Sequence, residues 1–113
     1  MENLTWTDSG SYLVARVSGE ITMELTPDLK RGVETALESC TYPMLVLDLS
    51  EVSFMDSSGI GFLVACNTRM QSLGKTLALL HPSSQVRKTL GLVQLMDFFR
   101  VAETEQDLAS PQG

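Results

Sequence analysis

Apolar residues recur along this chain in two rhythms, and each change of rhythm marks a candidate element boundary. Leu13, Ala15 and Val17 alternate with Tyr12, Val14 and Arg16, the period of two that a strand imposes. "NLTWTD" precedes this run across Ser9-Gly10, which predicts two strands joined by a tight turn. From Thr26 the spacing lengthens. Leu29, Val33, Ala36, Leu37 and Cys40 recur at helical intervals, with Thr26-Pro27 as N-cap and first helical residue and Tyr42-Pro43 as the stop. "MLVLDLS" is a short, mostly apolar run that predicts a central strand covered on both faces. Ser57 to Leu73 reads as a helix ended by Gly74. "KTLALLH" is a second buried strand. Pro82-Ser83-Ser84 opens a helix with Val86, Leu90 and Val93 on its apolar side. "FFRVA" is a last strand, and Thr104 caps a short helix "EQDLA" with Asp107 completing an approximate capping box. Ser110 to Gly113 are expected to fray.

The predicted order is β-β-α-β-α-β-α-β-α. After the first hairpin, strand and helix alternate, which implies an α/β fold with right-handed crossovers and a mixed, partly parallel sheet. The 113 residues suffice for one core. No repeat, linker or low-complexity segment divides them, so residues 1–113 are expected to form a single domain.

Composition narrows the partners. Apolar residues make up 43% and charged residues 19%, a globular balance, and the net charge is −6. That charge argues against nucleic acid and against a polybasic membrane anchor, while leaving room for a basic protein partner. No apolar run approaches the ~20 residues of a membrane span, and the N-terminus lacks a basic segment followed by an apolar one. A cytoplasmic location is the expectation. Cys40 and Cys66 are far apart in helical apolar pattern and read as reduced core thiols.

Catalytic and metal chemistry find little support. The one histidine, His81, stands at a strand end before Pro82, with no serine or cysteine signature to make it a triad base. Metal spacing is absent, and no metal or cofactor is expected. Leu73-Gly74-Lys75-Thr76 resembles the end of a phosphate-binding loop, but Arg69 stands where the motif's first glycine belongs and a strand follows instead of a helix. Gly59-Ile60-Gly61 is half of a dinucleotide fingerprint, with Val64 in place of its last glycine. Asp48 and Asp56 flank a strand end as in a receiver domain, but the acidic cluster such a domain needs after its first strand is missing.

The junction Asp56-Ser57-Ser58-Gly59 remains. Asp56 or Ser57 is a candidate helix cap. Capping does not account for Gly59 and Gly61, each of which costs ~1 kcal/mol in a helix relative to alanine. Their expected use is to leave the backbone bare for close approach. The following "IGFLVAC" is apolar at nearly every position, so its excess either packs under a neighbouring helix or forms a docking surface beside the serines. A serine at a helix N-terminus also faces free N–H groups and the positive end of the helix dipole. A phosphate there would be tolerated by the domain and felt by whatever docks on it. Ser57 lies nearer the cap, so its hydroxyl is expected to be engaged by backbone. The residues themselves do not decide between the two serines.

"LDLSEVSFMDSSGIGFLV" resembles the central motif of the STAS domain family, most closely the bacterial anti-sigma factor antagonists. "VSGEI", "GKTLALLHPSSQVRKTL" and "FFRVAETEQDLA" extend the resemblance over nearly the whole chain. The resemblance implies a non-enzymatic binding protein, expected to be monomeric. Its partner would be an anti-sigma factor serine kinase of the GHKL type, and a PP2C-like phosphatase would restore the active form. The phosphorylated serine of the family motif falls on Ser58 and the adjacent aspartate on Asp56. The switch surface implied comprises Gly19, Glu20 and Thr22 from a preceding turn, with Asp56, Ser57, Gly59, Ile60 and Gly61. Thr22 departs from the acidic residue often found there. The alternative is a STAS subunit or scaffold of a lipid-transport or sensory complex without a phosphorylation cycle; the intact Asp-Ser-Ser-Gly favours the antagonist.

Overall fold

The alternation of Leu13 to Val17 becomes one arm of a hairpin in the computed structural model, which describes residues 3–39 and 41–108. β1 (Leu4–Asp8) pairs antiparallel with β2 (Leu13–Ile21), from Leu4 opposite Val17 to Asp8 opposite Leu13. Then follow α1 (Thr26–Ser39), β3 (Met44–Met55), α2 (Ser57–Ser72), β4 (Thr76–Leu80), α3 (Ser84–Leu92), a 3₁₀ turn at Met96–Phe98, β5 (Arg100–Ala102) and α4 (Glu105–Leu108). The sheet order is β1-β2-β3-β4-β5, with β2 to β5 mutually parallel. The α/β class, the element order and the mixed sheet are as expected. Cys40 and the tail from Ser110 lie outside the described residues.

Most of the core lies on one face of the sheet. Leu29, Val33 and Leu37 of α1, Phe62, Leu63, Cys66 and Met70 of α2, and Val86 and Leu90 of α3 pack there against Val17, Ile21, Leu45, Leu47, Leu49 and Leu79. The opposite face carries Val14, Val46, Ala78, Leu80 and Ala102, covered by Leu108 of the short α4. Hence every residue from Leu45 to Leu49 is buried, and each buried leucine contributes about 1.5–3 kcal/mol. The single polar member of that run, Asp48, is held by Arg16 Nε at 3.2 Å and by the Ser50 N–H and hydroxyl at 3.0 and 2.7 Å. Burial raises its pKa, but the Ser50 donors and Arg16 outweigh burial and leave it below the ordinary 3.8.

Three local expectations are corrected. α1 begins one residue early: the Leu29 N–H already donates to Leu25 O at 3.1 Å, so Thr26 is helical and not the cap. β3 does not stop at Ser50. It continues to Met55 with Val52 and Met55 buried and the exposed pair Ser53 and Phe54 between them. Two register shifts against β2 accommodate this, because Arg16–Ile21 pairs with the longer Asp48–Met55. Val93 lies beyond α3 and is exposed.

Candidate functional site

The last residues of β3 deliver the chain to a capped helix start. Met55 pairs with Ile21 at the end of β2, and the Asp56 N–H donates to Ile21 O at 3.2 Å. Asp56 has extended backbone and is the N-cap of α2. Its Oδ1 accepts from the Ser58 N–H at 2.9 Å, the Gly59 N–H at 3.3 Å and the Ser58 hydroxyl at 2.5 Å. These donors satisfy amides that a helix start otherwise leaves orphaned. They hold the Asp56 carboxyl below its ordinary value, the Ser58 hydroxyl contributing most, with further help from the Met23 N–H.

The expectation for the serines is reversed. Ser57 is exposed, whereas Ser58 is half-buried and is the serine whose hydroxyl is engaged, by a carboxylate and not by backbone. Its hydrogen is committed to Asp56, so its oxygen lone pairs are oriented by a fixed partner.

The two glycines divide. Gly59 is buried, and a Cβ there would lie 2.3 Å from Met55 Cγ and 3.0 Å from Ile21 Cγ2. The close approach is made by the chain's own side chains, so Gly59 has an internal packing reason. Gly61 is exposed with nothing within 4 Å of its would-be Cβ. Ile60 is half-buried against the core. The apolar excess of α2 is thus mainly interior: Phe62, Leu63, Cys66 and Met70 are buried.

Gly19 to Ile21, expected as a turn, are instead the end of β2, paired with Val52 to Met55 of β3, and this segment adjoins the helix start through Ile21. Gly19 has φ +86°, a conformation that favours glycine. Glu20 is exposed, Thr22 half-buried, and both line a shallow depression with Asn3, Glu24 and Leu25 that does not include Ser58. Two exposed apolar residues escaped the sequence reading. Met23 is 71% exposed beside the Asp56 carboxylate, and Phe54 is 45% exposed two residues before it. The signal for Phe54 was its place in a strand whose alternation is broken by the register shifts.

The residues considered for catalysis are elsewhere. His81 follows β4, with Nδ1 3.8 Å from Glu103, itself clasped by Arg87. Burial pushes the Cys66 thiol up to about 12, with Glu34 adding to the effect and Lys30 opposing it. No group of three or more His, Cys, Asp or Glu able to hold a metal occurs among the described residues. No helix among them is long and apolar enough to cross a membrane.

These features define a small mixed-sheet α/β domain with an acid-capped helix start at the C-terminal end of its central strand. The chain belongs to the STAS domain family, whose family model matches residues 4–108. An anti-sigma F factor antagonist of Lysinibacillus sphaericus is 26% identical over 101 residues, covering 89% of this chain and 86% of that protein. An anti-sigma-B factor antagonist of Staphylococcus aureus is also 26% identical over 101 residues, 89% of this chain and 93% of its own. The crystal structure of an anti-sigma factor antagonist from Mycobacterium paratuberculosis superposes with a TM-score of 0.80 at 27% identity, over 92% of this chain and 87% of that one.

Proposed function

We propose that this chain is an anti-sigma factor antagonist whose partner binding is switched off by phosphorylation of Ser58. In its unmodified form it binds an anti-sigma factor serine kinase of the GHKL type and so releases a sigma factor. A PP2C-like phosphatase resets it. The chain itself is a cytoplasmic binding protein, with catalysis supplied by its partners. The observation that carries this reading is the Ser58 hydroxyl held on Asp56 at an accessible helix start. The names of the relatives supply the class of partner.

The physical logic is a change of charge at a docking surface. Unmodified, the helix start offers a neutral hydroxyl and exposed Gly61, with exposed Met23 against the Asp56 carboxylate, area that a partner can cover. On phosphoryl transfer the Ser58 Oγ gains a bond to the γ-phosphorus of the kinase-bound ATP, the bond to ADP breaks, and the hydroxyl proton departs. The surface then carries a charge of about −1.5 to −2, which a close-fitting partner must desolvate. Hundredfold weaker binding needs only ~2.8 kcal/mol.

The test uses an anti-sigma kinase of the same organism. Incubation with ATP followed by peptide mapping should place one phosphate on Ser58. Calorimetric titration should show Ser58→Ala binding constitutively and Ser58→Asp at least ~100-fold more weakly. Phosphate on Ser57, or equal affinities for the two variants, overturns the assignment. A scaffold subunit would bind its neighbours irrespective of residue 58.

A further inference from the structure

A second polar feature lies at the other end of the sheet. Between the C-terminal half of α2 and the start of β4 is a pocket of about 180 Å³, lined by Asn67, Gln71, Lys75, Thr76, Phe98 and Arg100 around Leu77. No carboxylate lines it, although the chain has 14 acidic residues against 8 Lys and Arg.

Asn67 carries the argument. It is only 7% exposed, on the inward side of α2 with Leu63 and Met70. Its amide nevertheless has no hydrogen-bond partner among the described residues, and none of its polar atoms is sealed from solvent. The amide is therefore reached through the pocket. Buried amides are ordinarily paired, and an apolar side chain would pack this position without leaving donors idle. Gln71 stands one turn further along the same helix face.

The charges point to the kind of ligand. The Lys75 ammonium donates to Tyr42 O at 2.6 Å. Two further N–H donors remain to it, and no described carboxylate pairs with it. The Arg100 guanidinium donates to Leu108 O at 3.0 Å and, as part of the lining, adds positive potential to the pocket. The volume of about 180 Å³ is below the roughly 300–1,000 Å³ of drug-sized sites. Phe98 is about half exposed and forms part of the wall.

We propose that this pocket binds a small oxyanion, the phosphate or carboxylate group of a metabolite, with Asn67, Gln71 and Lys75 as donors. Asn67 lies nine residues beyond Ser58 on α2, about 13 Å along the axis, so the site is separate from the proposed switch and does not depend on it.

The test is an amide-detected NMR titration at low salt with inorganic phosphate and, separately, acetate, against chloride at matched ionic strength. Saturable shifts should appear at the Asn67 and Gln71 side-chain amides and the Lys75–Leu77 backbone, with half-saturation at about 1–10 mM. Asn67→Leu and Lys75→Gln should each weaken the response about tenfold or more. Preference for phosphate assigns a phosphate-bearing ligand, and acetate binding as tight as phosphate assigns a carboxylate. No saturable response to either, shifts at Ser58 and Gly59 instead, or unchanged affinity in the variants overturns the proposal. If Asn67→Leu does not fold, Lys75→Gln decides alone, because that side chain sits at the rim of the fold.

Discussion

Replacing Gly59 with alanine should destabilise the domain, although alanine is the better helix former. The new Cβ would sit 2.3 Å from Met55 Cγ and 3.0 Å from both Met55 Sδ and Ile21 Cγ2. Carbon atoms settle at about 3.5–4.0 Å, so Met55 must shift by more than an ångström. It has nowhere open to go, because Met55 is 2% and Ile21 0% exposed. Overpacking of this kind costs about 1–3 kcal/mol, and alanine's helical preference offsets at most ~1 kcal/mol. The expected net loss is about 1–2 kcal/mol, a Tm fall of roughly 5–15 °C for a domain this size. Gly61→Ala, with nothing within 4 Å, keeps the helix gain and should stabilise by up to ~1 kcal/mol. Urea unfolding followed by circular dichroism measures both. Combining Gly59→Ala with Met55→Ala should recover at least ~1 kcal/mol relative to additivity, since the truncated residue 55 no longer fills the space. A Gly59→Ala protein as stable as wild type, or a cycle with no coupling, would refute the steric reasoning.

Other outcomes follow from the same geometry. Gly61→Ala should weaken kinase-partner binding while leaving the fold at least as stable, and unchanged affinity by calorimetry would restrict Gly61 to the helix itself. Asp48 and Asp56 are both held below 3.8, so the stability they confer is present above that value and lost as pH falls through their folded pKa values. Urea midpoints at about pH 7, 4 and 3 should drop mainly in the last interval, and Asp48→Asn should flatten that drop; an identical pH profile in the variant would count against it. Asp56→Ala should lower the Tm and remove protection of the Ser58 and Gly59 amides from hydrogen exchange. With its pKa near 12, Cys66 is about one part in ten thousand thiolate at pH 8. Peptide mapping after iodoacetamide should find it unmodified until the protein unfolds, and alkylation at the rate of a free thiol would contradict its burial.

Much of the fold was legible because most elements obey a single period. Leu29, Val33 and Leu37 mark α1, and Ser83 and Thr104 stand where two later helices begin. Legibility fails where neighbouring strands set the geometry. The second half of β3 buries Val52 and Met55 three residues apart, a spacing that breaks the strand period of two and goes with its register shifts against β2. The Asp-Ser-Ser-Gly junction was visible as a junction. The division of labour between its serines and its glycines was not, because it depends on one carboxylate rotamer and on Met55 beneath Gly59. The pocket at Asn67 was invisible for a similar reason: its lining comes from α2, the start of β4 and the segment around β5, which no local pattern connects.

The Asp56 cap has a consequence for the energetics of a modified chain. A helix start favours negative charge, and here the Asp56 carboxylate already holds the Ser58 and Gly59 N–H groups and the Ser58 hydroxyl. A phosphoserine at position 58 has no hydroxyl hydrogen to return, and it would set a dianion against that carboxylate. Phosphorylation would therefore put an internal repulsion in place of an internal attraction, where the sequence alone led to the expectation that the domain would tolerate a phosphate. The modified chain would be the tenser of two folded forms, and removal of the phosphate would run downhill in conformational energy as well as in chemistry.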